Sequence, residues 1–354
     1  MVSIGFGDRS YILLAVKRLR MSDGTHTAEQ VTLARLPSGV ELTTTVHTYR
    51  GGDSGPTLYV QAAQHGREIN GTAVLRRFHD RLPLESLSGT VVAVPVANPL
   101  TFDRVSYTAP DSIDSVNDNM NRVWPGDESG SLHQRMAARL WEHIEDADAV
   151  VDLHTGSPDM LPHVVYLEAD EPSAELARAF GTDLLLAEEA AEDAPDEWHR
   201  RGFAGKLRVA ATQEGIPSIT PELAHSKQIL ESVVEDGVVG LTSVLAHLEM
   251  LPREFARERD QNRVDAPIVA RNHLGQVTAE ESGLFRPNPD LELGQSISTG
   301  VDLGTIYQPA TYEVLERPVT DREGILYTLT REATVTAGSK LASVAIREED
   351  HALE

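Results

Sequence analysis

TLYVQAAQHGREINGTAVLRRFHDRLPLESLSGTVVAVPVA, residues 57–97, reads as an apolar strand (57–64), a helix with apolar positions at helical spacing (67–82) and a second buried strand (89–97). Strand, helix, strand of this length marks a parallel pair, because parallel neighbours need a long crossover and helices to cover them. The alternation runs on in both directions. Upstream, residues 31–50 predict two strands around a Pro-Ser-Gly turn. Downstream, a helix is expected over 132–146, strands over 148–154 and 163–169, helices over 171–181 and 204–214, a strand over 216–223 and a closing helix over 226–251. The fold class is therefore α/β, with a mixed, largely parallel sheet flanked by helices.

From Pro252 to Pro267 the chain turns charged (REFARERDQNRVDAP, 253–267) with neither an apolar face nor a strand pattern, which sets a domain boundary. Beyond it, short β-rich runs alternate with glycine turns and predict a small all-β barrel or sandwich. The expected division is a catalytic domain over 1–255, a β-rich domain over 256–346 and a disordered acidic tail over 347–354.

The absence of cysteine removes disulfides, thiolate metal sites and a cysteine nucleophile together, so any metal must be held by His, Asp and Glu. A formal charge of -24 argues against a nucleic-acid surface, which needs clustered cations. Four lysines stand against 27 arginines. That acid-rich, lysine-poor balance suits either a cytoplasm of high salt or a GC-rich genome. No apolar run approaches the roughly 18 to 20 residues of a membrane span, and the start lacks a signal-peptide cleavage site. A cytoplasmic location without membrane partners is the expectation, and homo-oligomerisation is left open.

The chemistry gathers at strand ends. QHGREIN puts His65 and Glu68 three residues apart where the strand gives way to the helix, with Gly66 bending the turn. The same spacing occurs at His26 and Glu29, before a surface strand and with no companion ligands. What separates the two pairs is DAVVDLHTG, which places His154 just past the end of a strand in the same sheet, where ligands of open α/β sheets collect. Asp152, two residues earlier on the same face, can orient a ligand. Three protein ligands leave a fourth position for water, as a catalytic metal site requires. A buried, hydrogen-bonded His154 without metal is the alternative.

HGREIN (65–70), ANP (97–99), NMNRVWPG (119–126), DLHTG (152–156) and IPSITPEL (216–223), in that order and spacing, resemble the succinylglutamate desuccinylase and aspartoacylase family. That family belongs to the wider carboxypeptidase A-like fold of zinc carboxypeptidases. The resemblance runs from about residue 55 to about 225, and the β-rich C-terminal part also matches. It implies one Zn2+ per subunit held by His65, Glu68 and His154, with Glu222 as the general base. It also implies that Asn121 and Arg122 grip a substrate carboxylate on a turn shaped by Pro125 and Gly126. Arg104 is the candidate for a further arginine that stabilises an oxyanion, while His163 is expected to be a satisfied core histidine. The chain departs from the family's pattern in three ways: Asn119 replaces an Asp, Leu223, Ala224 and His225 follow Glu222 where many relatives have glycines, and the loop between Asn98 and Asn121 is longer than in the smallest relatives. Trp124 sits where many relatives carry Phe.

The function so implied is zinc-dependent hydrolysis of the amide bond of a small N-acyl amino acid or related acylated amine. A zinc metallocarboxypeptidase acting on peptides or peptidoglycan fragments, and a catalytically inactive binding protein on the same fold, are the rival readings. A serine hydrolase ranks below these readings, because no Gly-x-Ser-x-Gly elbow occurs.

Overall fold

All eight residues of AVVDLHTG, 149–156, are buried, as a strand covered on both faces must be. This strand lies at the middle of the catalytic sheet. The structure is a computed structural model that describes residues 24–156, 159–190, 194, 196–256, 267–271 and 276–347. In chain order the first strands are β1 (Thr25–Arg35), β2 (Glu41–Arg50), β3 (Asp53–Ala62), β4 (Ser88–Val94), β5 (Ala149–Gly156), β6 (Asp159–Met160), β7 (His163–Leu167), β8 (Leu184–Glu188) and β9 (Ser218–His225). The sheet order is β1-β2-β4-β3-β5-β9-β7-β8. Pairs β4/β3, β3/β5, β5/β9 and β7/β8 are parallel, and β1/β2, β2/β4 and β9/β7 antiparallel.

The helices are α1 (Asn70–Arg81), α2 (Pro99–Phe102), α3 (Leu132–Trp141), α4 (Glu171–Phe180), α5 (Asp196–Arg200), α6 (Leu207–Gln213) and α7 (Glu231–His247). Strand periodicity sorts them into two layers. Leu58, Val60 and Ala62 of β3 and Val151 and Leu153 of β5 pack under α1, α4 and α7. Tyr59 and Val150, one residue out of phase, pack under α3 and α6. Gln61, Asp152 and His154 share the phase of this second face, so one side of the sheet carries its polar residues.

The remaining strands are β10 (Ile268–Arg271), β11 (Gln276–Thr278), β12 (Gly283–Pro287), β13 (Ser296–Ile297), β14 (Gly304–Tyr307), β15 (Val314–Glu316), β16 (Gly324–Leu329), β17 (Thr334–Val335) and β18 (Lys340–Arg347). Strands β15-β14-β12-β17 form an antiparallel sheet. Its inner residues Phe285, Ile306 and Val335 share a core with Leu326 of β16 and Leu341 and Val344 of β18, which makes a sandwich. The main sheet does not stop at the expected division between 255 and 256. Strand β10 pairs in parallel with β8 and antiparallel with β18, so main-chain hydrogen bonds join the two parts. Residues 257–266 of the charged segment and 348–354 of the tail lie outside the described residues, and Arg347 closes the last strand.

Several elements differ from expectation. The strand at 184–188, LLLAE, is an addition. The first strand begins at Thr25, so His26 and Glu29 stand on it and not before it. The closing helix is shorter, 231–247, because Ser226–Leu230 forms the turn that returns from β9. His154 lies within β5, two residues before its end, and not past it. Gly66 is needed less for a bend than for room: a Cβ there would sit 2.0 Å from the Thr101 carbonyl. No helix among the described residues is long and apolar enough to cross a membrane.

Candidate active site

Strand β3 ends at Ala62, and Ala63 turns the chain with a left-handed φ of 51°. The loop that follows carries His65 and Glu68 before α1 starts at Asn70. Both side chains are buried, as is His154 on the neighbouring strand. His65, Glu68 and His154 each bring one ligand atom within 4.8 Å of the others. His154 Nδ1 lies 3.0 Å from Glu68 Oε2. Tetrahedral coordination at about 2.0–2.1 Å separates ligand atoms by roughly 3.3 Å, so this spacing fits two donors on one ion.

The outer nitrogen of each imidazole is tied down. His65 Nδ1 faces the Tyr107 carbonyl at 2.8 Å, and His154 Nε2 faces Asp152 Oδ2 at 2.8 Å. Asp152 is itself held by Gln61 Nε2 at 2.9 Å, and Tyr59 in turn donates to Gln61. Such outer partners fix ring orientation at metal sites. Electrostatics agree with the geometry. Burial lowers His65 to about 4, which leaves its ring neutral with a free electron pair. Burial also works against a charged His154, but the Asp152 and Glu68 carboxylates outweigh it and raise its proton affinity well above the ordinary value. A place that favours positive charge so strongly, lined by two imidazoles and a carboxylate, fits a divalent cation.

Glu222 stands on β9 directly opposite His154 of β5 on one side and His163 of β7 on the other. Burial raises its carboxyl to about 7, with Glu68 adding to the effect and His154 opposing it. Two residues on, Ala224 sits at φ 60°, a left-handed conformation that strains a residue with a Cβ. His163 is buried, faces the Leu161 carbonyl through Nδ1 at 2.8 Å, and also lines the cavity in front of Glu222.

That cavity, about 560 Å³, is lined by His65, Glu68, His154 and Glu222 together with Asn121 and Arg122. Asn119 caps the short turn at Met120–Arg122 by accepting from Asn121 N at 2.9 Å, a task its amide oxygen performs as an Asp would. Asn121 Oδ1 accepts from Leu207 N at 3.1 Å, leaving its NH2 group for a ligand. Arg122 donates to the Arg201 carbonyl at 2.7 Å and rests over the Phe203 ring. Arg104 is not in this company. It is exposed at the end of α2 and donates back to the Leu100 carbonyl at 3.2 Å. Arg67, between the two loop ligands, lines the cavity in its place, and its Nε has no protein partner.

Sequence reasoning missed most of the cationic wall. Arg67, Arg122, Arg201, Lys206, Arg208 and Lys340 all line the cavity of a chain whose formal charge is -24. Two of its four lysines are here, and that scarcity was the one usable signal. Glu188, at the end of β8, binds Lys206 Nζ at 2.8 Å and Arg208, and Arg208 also donates to Thr220 at 2.9 Å. From the C-terminal sandwich come Tyr327 and Lys340, and burial lowers the Lys340 ammonium to about 8 against the pull of Glu222.

The succinylglutamate desuccinylase/aspartoacylase catalytic domain, as a sequence family, matches residues 54–248. The N-alpha-acetyl-L-2,4-diaminobutyric acid deacetylase of Halomonas elongata is 28% identical over 305 residues, 82% of each chain. Among solved structures, a succinylglutamate desuccinylase/aspartoacylase from Rhodobacter sphaeroides superposes with a TM-score of 0.78 at 22% identity, covering 92% of this chain and 97% of its own. The product-bound ectoine utilization protein EutE (DoeB) from Ruegeria pomeroyi gives 0.76 at 20% identity, covering 91% and 95%.

Proposed function

Because the chain belongs to the succinylglutamate desuccinylase/aspartoacylase family, we propose that it hydrolyses the amide bond of a small N-acylated amino acid, using one zinc ion held by His65, Glu68 and His154. The observation that carries this reading is the meeting of those three donors with Glu222 on one cation-lined cavity. Bound there, zinc would lower the pKa of a water toward about 7 and polarise a carbonyl.

Everything else is work for the chain's own side chains. Glu222, with a proton affinity near neutrality, takes the proton of the attacking water and returns it to the leaving amine. Asn121 and Arg122 hold the carboxylate of the amino-acid part, Arg122 through the guanidinium hydrogens left over from its bonds to the Arg201 and Asn121 carbonyls. Arg67, free at Nε, faces the charge that develops on the carbonyl oxygen. Lys340 and Arg208 supply a second positive wall for an acyl or side-chain carboxylate. The relative from Halomonas elongata is named for removing an acetyl group from an amino acid, which fits a substrate of this size.

The peptide-trimming reading is disfavoured by the cavity's far wall. Gln276, Tyr327, Thr330, Glu332 and Lys340 of the C-terminal sandwich line it, bounding a space of about 560 Å³ suited to a metabolite. On this reading the division into a catalytic unit (1–255) and a β-rich unit (256–346) is one of task, the second unit shaping the substrate's far end.

Zinc-loaded protein is expected to turn over members of a panel of N-acetyl and N-succinyl amino acids and to leave longer peptides intact. Turnover of peptides alone would overturn the proposal. Arg122→Met should raise KM roughly 10- to 100-fold, the worth of a lost hydrogen-bonded charge. It should do so for free-carboxylate substrates and not for their carboxamides, a contrast steady-state kinetics would read directly. Asp152→Asn should weaken zinc about 10- to 100-fold, measured by competition with a chelator, since His154 would lose the carboxylate that orients it.

A further inference from the structure

The pair set aside in the sequence, His26 with Glu29, turns out to have companions of another kind. His26 on β1, His47 on β2 and His79 in the last turn of α1 converge at the outer rim of the sheet. One ligand atom from each lies within 4.8 Å of the others. His26 Nε2 and His47 Nδ1 are 3.0 Å apart, and the His26 ring lies stacked on Tyr49 with centroids 4.5 Å apart.

We propose that His26, His47 and His79 form a second metal site, separate from the catalytic cavity, that takes a divalent transition ion such as Zn2+ and leaves its fourth position to water. Three imidazoles with no carboxylate select borderline, nitrogen-seeking ions over Mg2+ and Ca2+, which require oxygen. The rings arrive preorganised. The strand register places Ala28 opposite His47 and His26 opposite Tyr49, so the two histidines are diagonal neighbours on one face. Tyr49 Oη meets His79 Nδ1 at 2.8 Å, which fixes that ring and leaves Nε2 as its free donor.

Such an ion would fasten the edge hairpin β1–β2 to the far end of α1, whose near end follows the ligand Glu68. Binding to the folded chain alone must raise its stability with free metal concentration.

The test uses full-length protein stripped with a chelator, carrying His65→Ala and His154→Ala to silence the inner cluster. Dialysis against micromolar Zn2+ should load one ion per chain by atomic emission, with a Tm that climbs with free zinc. Adding His47→Ala and His79→Gln should abolish both. In the otherwise unaltered chain the same two outer substitutions should remove one zinc per chain and leave turnover unchanged. Cu2+ loaded into the inner-silenced protein should show imidazole nitrogen couplings in its EPR spectrum that vanish with the outer substitutions. No zinc uptake by the inner-silenced protein, or uptake that survives loss of His47 and His79, would overturn the proposal. Because the outer site is read without turnover, its failure leaves the catalytic proposal standing, and the converse holds.

Discussion

Glu222→Gln is expected to lower kcat by between about 10²- and 10⁴-fold, the range that a positioned general base contributes, while metal content and fold are retained. Glutamine keeps the shape and the place opposite His154 on the adjoining strand but cannot accept and return a proton. Burial is what makes the native carboxyl competent. An exposed glutamate near 4.5 would be a weak base, whereas this one is raised to about 7. Single-turnover kinetics with zinc content measured on the same sample would check the result. A variant with undiminished kcat would remove Glu222 from the proton path.

The largest stability effect should come from Glu188→Gln, a loss of about 3–5 kcal/mol of unfolding free energy read from denaturant midpoints at unchanged m. Glu188 is 2% exposed and lies between Lys206 and Arg208. Removing its charge strands two buried cations. Its two flanks do not tell the same story, however. Burial alone would raise Glu188, but Arg208 first and Lys206 second pull it from 4.5 down to about 2, while burial drags Lys206 from 10.5 down to about 8 despite the pair. Pairing thus wins for the carboxylate and desolvation wins for the ammonium. The net worth of the intact cluster is small, and the cost of breaking it is limited at the lower end by Lys206 shedding its proton. For Glu188 the folded value is below the unfolded one. Its contribution, roughly 3 kcal/mol, is therefore present above pH 4.5 and lost as pH falls toward 2. The glutamine variant should lack that acid-side decline. A cluster of little net stability that holds Lys206 and Arg208 in the cavity wall is explained better by what it presents to a ligand than by what it adds to folding.

The candidate metal donors were legible because each stands beside an apolar strand whose burial is written in its residues: TLYVQ leads to His65, and AVVDL to His154. The sheet's phase then puts Asp152 and His154 on one face with Gln61. The wall opposite was not legible. LLLAE is a short apolar run without alternation, a pattern that strand and buried helix share, so the strand that delivers Glu188 passed unassigned. Lys340 and Tyr327 reach the cavity because β18 hydrogen-bonds into the main sheet through β10 and β16 pairs with both β18 and β6, pairings across residues far apart in the chain. Arg104 lies outside the cavity lining for a local reason: four residues past Leu100, its guanidinium turns back to that carbonyl. The outer histidines share no motif at all, since two strands and a helix end must fold before they meet.

The parallel pairing of β10 with β8 limits how this chain could have been assembled or can be rebuilt. All five residues of β8 are buried, so the segment that the family shares, 54–248, carries within it a strand whose second partner lies downstream. Cut away, that strand becomes a short apolar edge with open hydrogen bonds, the kind of border that sticks to other chains. The C-terminal lobe is thus less a passenger than a selvedge, woven from the same threads as the cloth it finishes. Recombination that exchanged it for a lobe with different substrate contacts would have to bring along a strand able to bind off the same edge.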